Sequence, residues 1–280
     1  MNRRCAGRAG PSSPPADAAG AAAALLEARQ VGFQIDGRAV LHPVSLTLSG
    51  GRMIGVIGAN GSGKSTLGRI LARQAEPSCG RLLVGGRPAG SIAARRFACE
   101  VAYLPQDIPA AAGMMVEELV ALGRYPWLGA FRSLGAADRA CVEESMAITR
   151  VSGLSRRFVD ALSGGERQRV WLSMLVAQQA RALVLDEPTS ALDIRHQVEV
   201  LSLLRELCRS RGLGVVIILH DIYMAGRYCD EIVALRQGRV VAQGSGENVL
   251  RPEVLKAIYD VDMDVMVHGP SGDRVACLRA

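Results

Sequence analysis

The sequence predicts an α/β fold built on a mostly parallel sheet, and three observations carry that expectation. Four short apolar runs, at 53–57 (MIGVI), 101–104 (VAYL), 182–185 (ALVL) and 214–219 (GVVIIL), lack the polar alternation of half-exposed strands. Runs of that length suit parallel strands buried on both faces. Helical periodicity fills 166–180 and 194–211, between the later runs, as crossover connections between parallel strands require. A glycine-rich segment directly follows the first run and leads into a further helical stretch at about 64–73.

In chain order, residues 1–27 are rich in Ala, Pro, Ser and Gly and are expected to form a disordered leader. Its basic start faintly imitates a signal peptide, but Pro11, Pro14, Pro15 and Asp17 interrupt any apolar segment. The folded unit is expected over 28–260. From about 107 to 160 the pattern is mostly helical, which predicts a helical lobe inserted into the core. Residues 241–280 read as a small mixed β and helical end, of which 261–280 are set apart as a C-terminal tail. A chain of 280 residues is long enough for one such domain with a substantial core.

Composition removes several classes of function. Hydrophobic residues at 49% and charged residues at 21% are ordinary globular usage, so wholesale disorder is excluded. No stretch approaches the roughly 20 unbroken apolar residues of a membrane-spanning helix, so work at a membrane requires a partner. The seven cysteines form an odd set without a CxxC pair, and the four histidines show no ligand spacing. Neither a disulfide frame nor a zinc site is expected. The net charge of +6 invites a nucleic-acid reading, but the basic residues are dispersed and aromatics reach only 4%. That is too few for a stacking platform, and no nucleic-acid partner is expected.

Chemistry concentrates in a few segments. Gly58-Ala59-Asn60-Gly61-Ser62-Gly63-Lys64-Ser65-Thr66 satisfies GxxxxGK[ST] between a predicted strand and a predicted helix. The glycines let backbone N–H groups close around phosphate oxygens, and the helix presents its positive end to them. Lys64 reaches the terminal phosphates and the Ser65 hydroxyl is placed for Mg²⁺. Only Lys64 and Lys256 are lysine among 33 basic residues. Keeping a lysine here suits a compact point charge that a guanidinium replaces badly. The run at 182–185 ends in Asp186-Glu187, two carboxylates at the sheet edge where α/β folds bind ligands. Asp186 is expected in the Mg²⁺ shell and Glu187 as general base toward water. Leu162-Ser163-Gly164-Gly165-Glu166-Arg167-Gln168-Arg169 contains a capping box, which alone would start a helix. The two glycines after the cap additionally bare helix N–H groups to an anion. Gln106 and His220 each follow an apolar run and so share the strand edge of Lys64 and Asp186.

The order of these motifs resembles the ATP-binding cassette (ABC) ATPases. LSGGERQR at 162–169 is similar to that family's signature, Ser190-Ala191-Leu192-Asp193 looks like its D-loop, and the likeness runs from about 28 to 260. The resemblance implies a P-loop NTPase core with a parallel sheet, an antiparallel β part and a helical insertion lobe. It implies ATP and Mg²⁺ as cofactors, and two copies stacked head to tail. Ser163, Gly164 and Gly165 of one copy would grip the γ-phosphate held by the phosphate loop of the other. Gln106 would sense Mg²⁺ and the attacking water and link the site to a membrane partner; His220 would contact the γ-phosphate. Similar cassettes stack adenine on an aromatic 23 residues before the phosphate loop. Here Ile35 stands at that place with Phe33 two residues earlier, so apolar contact from one or the other is expected, with weakened base selectivity.

The segment from Gly113 to Trp127, containing Gly123-Arg124-Tyr125-Pro126, resembles importers of ferric siderophores, haem and cobalamin. Its continuation through Gly129 and Leu134-Gly135-Ala136-Ala137-Asp138-Arg139, with Ala191-Leu192-Asp193-Ile194-Arg195-His196-Gln197 and Ala225-Gly226-Arg227-Tyr228-Cys229-Asp230, is most similar to the ATPases of iron(III)-hydroxamate importers. The resemblance therefore implies an ATP-hydrolysing subunit at the cytoplasmic face of a bacterial inner membrane. Its partners would be a transmembrane permease, a second copy and, indirectly, a substrate-binding protein. Haem or cobalamin import, and a soluble cassette acting on nucleic acid, are the alternatives.

Overall fold

The computed structural model describes residues 24–129, 132–190, 192–269 and 272–279. The leader expected at 1–27 lies outside the described residues up to 23, and its last residues already belong to strand β1 (Ala24–Ile35). Ala191, within the segment that resembles a D-loop, also lies outside them.

Strand β1 turns through Asp36 and Gly37, both at positive φ (49° and 77°), into β2 (Arg38–Ser49). An Asp-Gly pair with both φ positive is the hairpin turn whose twist matches its strands. β3 (Met53–Gly58) then leaves for a second sheet, while β4 (Cys79–Val84) and β5 (Arg87–Pro88) complete a four-stranded antiparallel sheet ordered β2-β1-β4-β5. The second sheet joins β3 to β6 (Val101–Leu104), β7 (Ala182–Asp186), β8 (Gly214–Ile218), β9 (Glu231–Arg236) and β10 (Arg239–Gly244) in the order β10-β9-β3-β8-β7-β6. Its strands are parallel except β10. The four apolar runs are therefore the parallel strands the sequence predicts, within one residue at their ends.

Every residue of β3, β7 and β8 is buried, because the sheet serves two cores at once. Met53, Ile57, Leu183, Leu185, Val215 and Ile217 face one. Ile54, Val56, Val184, Val216 and Ile218 face the other, with Leu26, Leu46 and Leu48 of the antiparallel sheet. Alternation of period two sends successive side chains to opposite faces, so only continuous apolar runs satisfy both. The helices α1 (Lys64–Leu71), α2 (Ala94–Glu100), α6 (Gly164–Ala177), α7 (Ile194–Arg211) and α8 (Ile222–Tyr228) connect these strands.

The inserted lobe is mostly helical from Val116 onward. Pro105, Pro109 and Gly113 keep 105–115 irregular, since proline removes a helix donor and fixes φ. Its helices are α3 (Val116–Ala121), α4 (Tyr125–Leu128) and α5 (Ala136–Ile148). The Gly123 to Trp127 segment ties this lobe to the end of α6. Arg124, 8% exposed, donates from Nε to Asp138 (3.0 Å) and from Nη1 to the Ala177 carbonyl (2.9 Å) and Gln179 Oε1 (2.9 Å). Trp127 Nε1 donates to the Gln178 carbonyl at 2.6 Å. Gly123 permits this approach, because a Cβ there would stand 2.2 Å from the Met174 carbonyl oxygen. Gly123→Ala is expected to destabilise the fold by about 1–3 kcal/mol through overpacking, read as a lowered urea midpoint with unchanged m-value. A midpoint equal to wild type would show that the helices separate without cost.

The chain closes with α9 (Gly246–Val249), α10 (Pro252–Tyr259) and an antiparallel hairpin of β11 (Met263–His268) and β12 (Asp273–Leu278). The hairpin packs on α8 and α10.

Candidate active site

The parallel register brings the expected residues to one edge. β3 ends at Gly58, β7 at Asp186 and β8 two residues before His220, while Gln106 follows β6 by two. Gly58 has φ 149°, and a Cβ there would lie 2.2 Å from the Leu235 carbonyl oxygen and 2.7 Å from Ser62 Oγ, so no other residue fits. The loop then wraps over itself, and Lys64 Nζ donates to the carbonyls of Gly58 (2.9 Å) and Ala59 (3.0 Å). Gly63, the residue before α1, offers no side-chain cap, and the first turn of α1 holds no acid. Its free N–H groups and dipole are left to an outside anion.

Charge placement agrees. Burial pushes the Lys64 ammonium below its ordinary pKa, opposed by the nearby Glu187 and Asp186 carboxylates. Burial likewise pushes the Asp186 carboxyl up, opposed first by the hydroxyl of Ser65, whose Oγ donates to Asp186 Oδ1 at 3.1 Å. A desolvated carboxylate beside a hydroxyl suits a hard divalent cation, and a desolvated ammonium in a glycine cradle suits phosphate. Glu187 is held at φ 51°, a backbone conformation that costs a non-glycine residue on the order of 1–3 kcal/mol and that marks functional positions. Its Oε2 accepts from Gln106 Nε2 at 2.8 Å and its Oε1 meets His220 Nε2 at 2.5 Å. A cavity of about 390 Å³ is lined by Asn60, Gly61, Ser62, Gly63, Lys64, Ser65 and Thr66 together with Gln106, Glu187, His220 and Val40.

Ser163, Gly164 and Gly165 do not line that cavity. Ser163 caps α6, with its N–H donating to Glu166 Oε2 at 2.9 Å and its Oγ accepting from the Glu166 N–H at 3.4 Å. The capping box is therefore real, and Gly164 and Gly165 form the first turn of α6. Ile35 is 53% exposed beside the β1–β2 turn, whereas Phe33 is half-buried and packed against the core. Val40 was not foreseen from the sequence, since only the register of β2 brings it beside the phosphate loop.

Residues 41–190 match the ABC transporter family. The chain belongs to that family. As an ABC ATPase it binds and hydrolyses ATP. It is 41% identical over 262 residues to the hemin import ATP-binding protein HmuV of Streptomyces coelicolor, covering 94% of this chain and 92% of that one. To the iron(3+)-hydroxamate import ATP-binding protein FhuC of Bacillus subtilis it is 33% identical over 253 residues, covering 90% and 94%. The fold is also that of a solved inward-facing metal-chelate type ABC transporter. The TM-score is 0.80 at 24% identity, covering 92% of this chain and 97% of that chain.

Proposed function

We propose that this ABC ATPase powers import of a ferric chelate, a siderophore of the hydroxamate class, with each catalytic centre shared between two copies. The observation that carries the catalytic part is Glu187, buried and held at both oxygens by Gln106 and His220 at the mouth of the phosphate loop. ATP supplies the phosphoanhydride bond whose cleavage drives the cycle. Gly58, Ala59, Asn60, Gly61, Ser62, Gly63 and Thr66 enclose its phosphates, and Lys64 exchanges its two carbonyl partners for phosphate oxygens. Ser65 and Asp186 would hold Mg²⁺, with Gln106 beside them, and it would neutralise charge on the phosphates. Glu187 takes a proton from water as general base, and His220, on the opposite oxygen of the same carboxylate, faces the γ-phosphate.

Ser163, Gly164 and Gly165 serve the nucleotide of a second, head-to-tail copy. Their placement outside their own chain's phosphate cavity supports this. In this reading 28–260 form the ATPase unit, 107–160 its lobe and 261–280 a tail. No helix among the described residues is long and apolar enough to cross a membrane. In this reading a permease carries the cargo and holds this chain at the cytoplasmic face. A groove of about 930 Å³ lined by Arg69, Arg73, Phe97, Tyr103 and Gln178 also takes in Gln106, Ser65 and Asp186. A permease segment seated there would press on the residue that holds Glu187. A substrate-binding protein would deliver the chelate to that permease.

The hydroxamate cargo rests on the likeness to FhuC; the higher identity to HmuV supports haem as the second reading. Uptake of labelled ferric hydroxamate and of haem, in cells deleted for this gene and complemented with wild type or Glu187→Gln, separates the two. Hydroxamate uptake restored by wild type alone is the expected result. Restoration of haem uptake only would transfer the cargo, and normal uptake of both in the deletion would remove the transport assignment.

A further inference from the structure

The end of α10 is fastened to the strand that flanks the phosphate loop. Arg236, the last residue of β9, donates from Nη1 to the Ala257 carbonyl at 2.8 Å and pairs with Asp260 at 3.4 Å. Those two partners bracket Tyr259, and Asp260 stops the helix directly after it at φ 62°. Leu235, the residue before Arg236, is the partner of Gly58 across the β3–β9 ladder, and its carbonyl approaches so closely that no Cβ fits on Gly58. The Tyr259 ring packs on the main core, while its hydroxyl is buried and closes no hydrogen bond among the described residues. Burial pushes the phenol up to about 12, and the Gly58 N–H acts against that rise, as a donor facing the phenol oxygen does. The Asp221 carboxylate, next in the chain after His220, adds to the rise. A buried hydroxyl left unsatisfied is costly, and phenylalanine would serve for packing alone.

We infer that Tyr259 is a positioning residue for ATP, its hydroxyl taking the Gly58 N–H and fixing the point where β3 gives way to the phosphate loop. The inference rests on the reading that Gly58–Thr66 encloses the phosphates. Gly58 begins that loop at φ 149°, and a glycine has no side chain with which to restrain its own backbone, so restraint comes from outside the loop. Its carbonyl is one of the two that Lys64 holds and exchanges for phosphate oxygens. When Lys64 passes from that carbonyl to phosphate, the Gly58 backbone is free to settle on the phenol and the hydrogen bond closes. A bond made more fully with ATP bound than without it adds to affinity. Arg236 contributes by holding the end of α10, and the phenol with it, against β9.

The test uses the full chain with MgATP. Tyr259→Phe keeps the ring and its packing and loses only the hydroxyl. Its dissociation constant for MgATP, by calorimetry, and its KM should both rise about 3–10-fold, the worth of one hydrogen bond. Its kcat should change much less, because the loop holds ground state and transition state alike. Arg236→Ala should weaken binding in the same direction, and the double variant should bind no more weakly than Tyr259→Phe alone, since the arginine acts through the phenol. Additive losses would overturn the part given to Arg236. A tyrosine that only packs predicts a different result: Tyr259→Phe would bind ATP as the wild type does and unfold at an equal or higher urea concentration. That result, with binding still weakened by Lys64→Ala, would overturn the inference alone. Wild-type affinity in both Tyr259→Phe and Lys64→Ala would overturn the phosphate-loop reading and the inference with it.

Discussion

Glu187→Gln is expected to lower kcat by about 10²–10⁴-fold, the range over which a positioned general base acts, while the affinity for MgATP stays within a few-fold of wild type. The substitution preserves shape, and its amide still has Gln106 at 2.8 Å and His220 at 2.5 Å as neighbours. It also removes a negative charge that opposes ionisation of Asp186 and supports that of Lys64, so binding and turnover should separate cleanly. Steady-state hydrolysis together with equilibrium binding of a fluorescent ATP analogue makes the comparison. Turnover at the wild-type rate would remove Glu187 as the base.

The second large effect is at Lys64. Lys64 is 4% exposed and its ammonium spends two donors on the loop's own carbonyls, an arrangement that desolvation makes costly until an anion arrives. Lys64→Ala is expected to weaken ATP binding by about 10–100-fold, the loss appropriate to one strong charge-assisted hydrogen bond. Lys64→Arg should not rescue it, because a planar fork cannot enter a cradle closed by Gly58, Ser62 and Gly63. Calorimetric titration with MgATP reads both. Unchanged affinity in Lys64→Ala would dismiss the phosphate-loop assignment.

The parallel strands were legible because burial on both faces leaves an unambiguous apolar run; β6 at 101–104 and α7 at 194–211 fall where the pattern put them. Their common direction then places Gln106, Lys64, Asp186, Glu187 and His220 at one edge, so most of the proposed catalytic cluster follows from strand ends alone. The antiparallel part came only from the family resemblance. Its first strand breaks register between Ala28 and Val31 and again near Phe33, which destroys the period of two that would have revealed it. The lobe is mostly helical from Val116 onward, where the helical spacing from about 114 puts it, while 105–115 stays irregular around Pro105, Pro109 and Gly113. Val40 beside the phosphate loop, Tyr259 facing Gly58 and the Arg124 ties depend on how separate elements approach, for which no local signal exists.

The account stands most directly on the composite centre, and the mass and nucleotide content of Glu187→Gln at saturating MgATP test it. Light scattering on the eluting protein should show two copies carrying two ATP molecules. Adding Gly165→Arg should leave nucleotide-loaded single copies, since the phosphate loop of each chain remains intact. A Glu187→Gln protein that stays a single copy when fully loaded, or pairing indifferent to Gly165→Arg, would contradict it.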